Sequence, residues 1–97
     1  QIMPYIPKED RVSLEHQLME LSIRLAAEPD GFAGRLNYAL SSLFKRIIED
    51  RGLSYQVLND IIGVLEASKL ELYRRVAAPY EDLKIEENGD VYDQKTA

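Results

Sequence analysis

The chain has no cysteine, no tryptophan, a single histidine and only five glycines among its 97 residues. Without cysteine there is no disulfide, no thiolate metal site and no thiol nucleophile. One histidine, His16, cannot supply a site that needs two imidazoles, and no Glu-x-x-His ligand pair accompanies it. Glycine-rich phosphate loops are missing too, since Gly31-x-x-Gly34 is too short to cradle a phosphate. No apolar run approaches the roughly 20 residues that span a bilayer, and no signal-peptide pattern occurs. These absences point to a soluble protein, with the cytoplasm as its expected location and no membrane partner.

Positive charge is also scarce. The net charge is −5, and most of it sits at one end. Residues 81–97 carry Glu81, Asp82, Glu86, Glu87, Asp90 and Asp93 against Lys84 and Lys95, a local charge of −4 that leaves −1 for the rest. Nonspecific nucleic-acid binding draws on clustered Lys and Arg, so no nucleic-acid partner is expected. The only adjacent basic pairs, Lys45-Arg46 and Arg74-Arg75, read as solvated helix charges.

What is present is apolar surface in helical rhythm. At 45% apolar and 30% charged residues the composition is globular, and the length suits one domain, 1–97, with one modest core. Residues 1–7, QIMPYIP, form an extended lead-in because their two prolines exclude a regular helix. Met3 is the expected natural start, with Gln1 and Ile2 ahead of it. A helical bundle is expected over 8–79. Helix one runs from about Lys8 to Ala27, with Glu9 and Asp10 suiting its positive N-terminal end, until Pro29-Asp30-Gly31 breaks it. Asp30 is then the candidate N-cap of helix two, which ends at Arg51-Gly52. Ser54 caps helix three, which the sequence extends to about Ala78, where Pro79 stops it after about 35 Å.

Beyond Pro79 lies an acidic hairpin or extended tail, 80–97. Asn88-Gly89 is the strongest short hairpin signal available, since both residues tolerate the positive φ of a type I′ turn. A two-residue loop pairs Ile85 with Tyr92, Glu86 with Val91 and Lys84 with Asp93, placing Leu83, Ile85 and Tyr92 on one face. A lone hairpin is marginal in water, so that face needs something to pack on. The alternative is an acidic tail with only transient turn structure. The expected fold is therefore mainly α: a three-helix bundle with a long third helix and a short C-terminal hairpin or tail.

Projected at about 100° per residue, helix one carries two apolar stripes. Leu14, Leu18, Leu21 and Leu25 form one; Val12, Met19, Ile23 and Ala26 form another nearly opposite. A monomeric bundle needs only the first, so the second must be covered by the lead-in, the tail or another subunit. Helix two presents Leu36, Ala39, Leu40, Leu43 and Ile47, with Phe44 and Ile48 extending the arc. Helix three is apolar over half its circumference, and on its far side Gly63, Ala67 and Leu70 line up at helical spacing, suited to close approach by a second helix. The expected intrachain core is Leu14, Leu18, Leu21, Leu25, Leu40, Leu43, Ile47, Leu58, Ile61, Leu65 and Leu72. The expected interface is Val12, Met19, Ile23, Gly63, Ala67 and Leu70. Symmetric dimers are the commonest way to bury such a surplus, so a homo-oligomer is expected, a dimer first, with an unrelated protein partner as the alternative.

Chemistry is sparse. Glu15 and Glu20, like Glu66 and Glu71, stand five apart rather than three or four, so no helical carboxylate ladder for magnesium forms. The serines lack a general base. No catalytic residue, metal or cofactor is expected, and a non-enzymatic role follows. Lys69 is the one position that resists a bland reading, because it projects from the middle of helix three's apolar arc. Either its stem lies on the core while its ammonium reaches water, or it is paired inside a polar cluster. Asn37, Asn59, Glu66, Lys69, Tyr73 and Arg74 are the candidate members of that cluster, able to hold a small anionic or nucleotide-like ligand.

The stretches MPYIPKEDR (3–11), LNYAL (36–40), LNDIIGVLEASKLELYRRVAAPYED (58–82) and KIEENGDVY (84–92) together cover nearly the whole chain. They resemble an uncharacterised family of small bacterial and phage proteins. That resemblance brings no activity or catalytic residue with it. It implies that Met3 is the start, that the tail belongs to the domain, and that an accessory or interaction role is to be expected. A self-associating interaction module is the leading reading, an anionic-ligand binder the second, and a metal-dependent hydrolase comes last.

Overall fold

Pro7 and the acidic pair Glu9-Asp10 open the first helix, α1 (Lys8–Ala26), in a computed structural model that describes residues 4–92 and Lys95. The expected start at Met3 lies outside the described residues. A break follows, and Gly31, at φ 77°, is the residue preceding α2 (Phe32–Arg51). The cap is thus Gly31 rather than Asp30, because the tight reversal needs a left-handed backbone that glycine adopts without steric cost. Asp30 instead offers its carbonyl to Arg35. Gly52 closes α2, its N–H donating to Ile48 O at 2.8 Å. Ser54 caps α3 (Tyr55–Leu72) as expected, its Oγ accepting from the Val57 N–H at 3.2 Å.

Pro79 does not end this helix. Tyr73–Ala77 widens into a π-helical turn, in which the Ala78 N–H donates to Tyr73 O, and the chain continues as α4 (Ala78–Asn88). An α-helical proline would lack the donor for the carbonyl four residues back and press its ring against it. The wider turn resets the ladder, so that Pro79 falls in the first turn of α4, where a missing N–H costs nothing. From Tyr55 to Asn88 the helical rod is about 51 Å long at 1.5 Å per residue.

The C-terminal hairpin is likewise replaced by helix, and no strand occurs among the described residues. Extending an existing helix carries no new nucleation cost, whereas a two-stranded ribbon has nothing to cover it. Lys84 reinforces the helix, pairing with Glu87 at 3.2 Å and lying 5.4 Å from the Tyr80 ring centre. Gly89 does take a positive φ, 91°, but as the helix terminus, donating its N–H to Ile85 O. Asp90 then turns the chain by accepting from the Tyr92 N–H. The expected partner of Lys84, Asp93, lies outside the described residues. Leu83, Ile85 and Tyr92 remain exposed and do not pack on α1 or α2.

The mainly α class stands, but the three helices do not close around a shared core. α1 packs on α2 and α2 on α3, while α1 and α3 do not pack on each other. Of the expected core, Leu21, Leu25, Leu58 and Ile61 are half-buried, whereas Leu14, Leu18, Leu40, Leu43, Ile47, Leu65 and Leu72 are exposed. The reason is geometric: contacts gather near the two interhelical turns. Leu21 and Leu25 bury with Leu36 and Ala39 beside the first turn, and Phe44 and Ile48 with Val57, Leu58 and Ile61 beside the second. Only Val57 is buried outright among the described residues.

Candidate functional site

The lead-in is anchored by chemistry the sequence does not announce. Tyr5 lies beside the C-terminal half of α3 and donates from its hydroxyl to Glu71 Oε2 at 3.1 Å. Arg74 Nη2 donates to both oxygens of the same carboxylate, the longer contact 3.2 Å. The Arg74 hydrogen bond, aided by Tyr5, holds the Glu71 carboxyl below its usual ionisation range despite some opposing desolvation. At the base of the segment, Arg11 Nε donates to Ile6 O at 2.9 Å. Pro4, Tyr5, Ala67, Leu70 and Glu71 thereby line one groove of about 500 Å³.

The expected interface residues fall into two groups. Ala67 and Leu70 flank the lead-in groove and Gly63 is half-buried, so part of that small-residue stripe meets its own chain. Val12, Met19 and Ile23 on α1 are 74%, 52% and 64% exposed, and neither the lead-in nor the described C-terminal residues cover them. Leu14 and Leu18, on the other side of α1, are 52% and 55% exposed. The Val12 stripe is thus open along its whole length and the leucine stripe over its N-terminal half.

Between α1 and α2 lies an apolar cleft of about 500 Å³, lined chiefly by Leu21, Leu25, Gly34, Tyr38, Ala39 and Leu43. Arg35 closes its turn end. Its Nη1 donates to Asp30 O at 2.7 Å, and its Nη2 to Leu25 O at 3.0 Å and to Glu28 O. Carbonyls at a helix end lack intrahelical donors, and one guanidinium serves this set. Sequence reasoning passed over Arg35; the available signal was an arginine one turn into a helix that follows a carbonyl-rich reversal.

The polar cluster is not assembled as a unit. Lys69 pairs with Glu66 at 3.3 Å, both well exposed. Arg74 is engaged with Glu71, and Tyr73 faces Glu81, whose carboxylate pushes the phenol's ionisation above its usual value. Asn37 on α2 and Asn59 on α3 are exposed, and among the described residues no side-chain hydrogen bond joins either to the others. A further groove of about 530 Å³ runs along α4 between Tyr73, Ala78, Ile85 and the returning Val91 and Tyr92. Among the described residues, no group of three or more His, Asp or Glu side chains is placed to hold a metal ion. Among the described residues, no helix is long and apolar enough to cross a membrane. What the arrangement offers is extensive apolar surface, hinged at Arg35 and clasped at Glu71.

A family model described as Domain of unknown function (DUF6899) matches residues 3–91. The chain belongs to this family. The DUF6899 match spans the Tyr5 lead-in, α1 to α3 and the acidic arm formed by α4, as far as Val91. No curated protein and no solved structure matches this DUF6899 chain.

Proposed function

We propose that this DUF6899 chain is a non-enzymatic, self-associating interaction module whose working unit is a homodimer. One observation carries the reading. The accessible surface is 8958 Å², where a folded monomer of 11.1 kDa has about 5,700 Å² by size scaling. The surplus, about 3,300 Å² per chain, is several times the roughly 800 Å² per partner that a standard interface buries, so there is ample surface for an obligate one. The radius of gyration agrees: 17.7 Å, against about 12.5 Å for a compact chain of this length. Exposed Leu14, Leu18, Met19, Ile23, Leu65 and Leu72 supply the apolar character that association requires.

Light scattering coupled to size exclusion tests it. The expected mass is twice 11.1 kDa across micromolar concentrations, and a clean monomer throughout would overturn the proposal.

The ligand-binding alternative rests on Lys69 and Arg74, and each already carries a carboxylate partner, Glu66 and Glu71. An anion would have to displace these pairs. A thermal-shift screen against nucleotides and inorganic phosphate decides it, because a ligand specific to the folded state raises the melting point. A cytoplasmic, bacterial or phage setting belongs to the same proposal.

A further inference from the structure

The surplus surface is not spread evenly. The leucine stripe of α1 and the facing stripe of α2 meet only near their turn, where Leu21, Leu25, Leu36 and Ala39 are half-buried. Away from the turn the same stripes stand open, with Leu14 and Leu18 on α1 and Leu43 and Ile47 on α2 exposed. Two helices that pack at one end and expose matching leucines beyond it form a wedge, and the cleft of about 500 Å³ lies toward its closed end, beside the turn. Its lining is apolar apart from Arg35, Tyr38 and Ser42, and both terminal nitrogens of Arg35 are held by backbone carbonyls while its Nε is buried without a partner.

Resting on the self-association proposed above, we infer that the occupant of this wedge is the α1–α2 hairpin of a second copy. Two hairpins related by a two-fold axis would interlock into a four-helix core. Three observations favour a second copy over an unrelated helix. The wedge is self-complementary, since the leucines it exposes are also what would fill it. The surplus of about 3,300 Å² per chain, part of it on α4, is far above the roughly 800 Å² per partner of a standard interface and favours a broad partner surface over one short peptide. The competing small-residue face of α3, at Ala67 and Leu70, already has the lead-in beside it.

Two charge substitutions and two cysteine substitutions test the inference. Leu18→Glu places a carboxylate in the wedge, and Leu70→Glu places one on the far face of α3. Light scattering should find Leu18→Glu monomeric at concentrations where wild type and Leu70→Glu are dimeric. The natural chain has no cysteine, so Leu18→Cys and Leu70→Cys can each be treated with a flexible bis-maleimide. Covalent dimer should form at position 18 and not at position 70. Should Leu18→Glu unfold, the cross-linking pattern carries the decision alone. A dimer that survives Leu18→Glu, or that cross-links at position 70 and not at 18, overturns the wedge while leaving self-association intact. A monomeric wild type removes both.

Discussion

The Tyr5 hydroxyl and the Glu71 carboxylate, 66 residues apart in sequence, are joined by a 3.1 Å hydrogen bond that fastens the N-terminal lead-in to α3. Arg74 holds the same carboxylate from the other side. The docking of Tyr5 therefore depends on one ionised acid, while Arg11 tethers Ile6 separately. Tyr5→Phe should reduce protection of residues 4–7 from protease, while leaving the exchange of α1 and α2 amides unchanged.

Acid should release Tyr5. Glu71 ionises more readily in the folded chain than in the unfolded one, chiefly through its hydrogen bond to Arg74. Its stabilising effect is accordingly present above the usual carboxylate value of 4.5 and is lost as pH falls through the depressed folded value. The Tyr5 ring resonances, followed by NMR, should stay in their docked positions from neutrality to pH 4.5 and move below it. Glu71→Gln should abolish that acid transition.

Arg35 ties the α1–α2 reversal together through carbonyls of Leu25, Glu28 and Asp30. Arg35→Met keeps much of the stem but gives up these bonds, and since water can reach the Glu28 and Asp30 carbonyls the loss should be about 1–2 kcal/mol in urea denaturation. Arg35→Lys should recover little, because an ammonium lacks the planar fork that reaches several carbonyls at once.

Ser54→Ala removes the side-chain acceptor from the Val57 N–H at the start of α3. A loss of about 1 kcal/mol is expected, with the native oligomeric mass retained at concentrations where the chain stays folded. Light scattering and thermal melting on one sample separate the two effects.

Truncation after Pro79 should leave the melting of the remainder almost unchanged, because α4 packs only on the π-helical turn and not on α1 or α2. A large drop in melting temperature would show that the acidic arm is held by contacts beyond its own chain.

Much of this architecture was legible in the residues. The start of α1, the Gly52 terminus of α2 and the Ser54 cap all follow from local chemistry, where one side chain or one backbone angle decides. The surplus of apolar faces was legible too, since Val12, Met19 and Ile23 cannot share a face with Leu14 and Leu18. Three features were not. Asp30 is a good cap by type, but the reversal demanded glycine geometry at position 31. Asn88-Gly89 signals a turn, yet the signal concerns only φ at Gly89 and does not say whether a strand or a helix precedes it. The Tyr5–Glu71–Arg74 clasp depends on where a flexible segment lands, and no spacing rule encodes that. Lys69 shows the limit from the other side: its place on an apolar arc suggested a buried partner, but with α1 and α3 apart the arc stays open to water.

The π-helical turn at Tyr73–Ala77 has a further consequence for the acidic arm. Accommodating one more residue than an ordinary turn, it offsets everything downstream by about 100° around the axis. Tyr80, Leu83 and Ile85 therefore look in directions that α3 alone would not give them. The turn works as a keyed coupling between two shafts: closing it to an ordinary α turn with every residue kept would re-aim the arm, whereas deleting one residue from 73–77 would close the turn and leave both the rod's length and the arm's aim nearly the same.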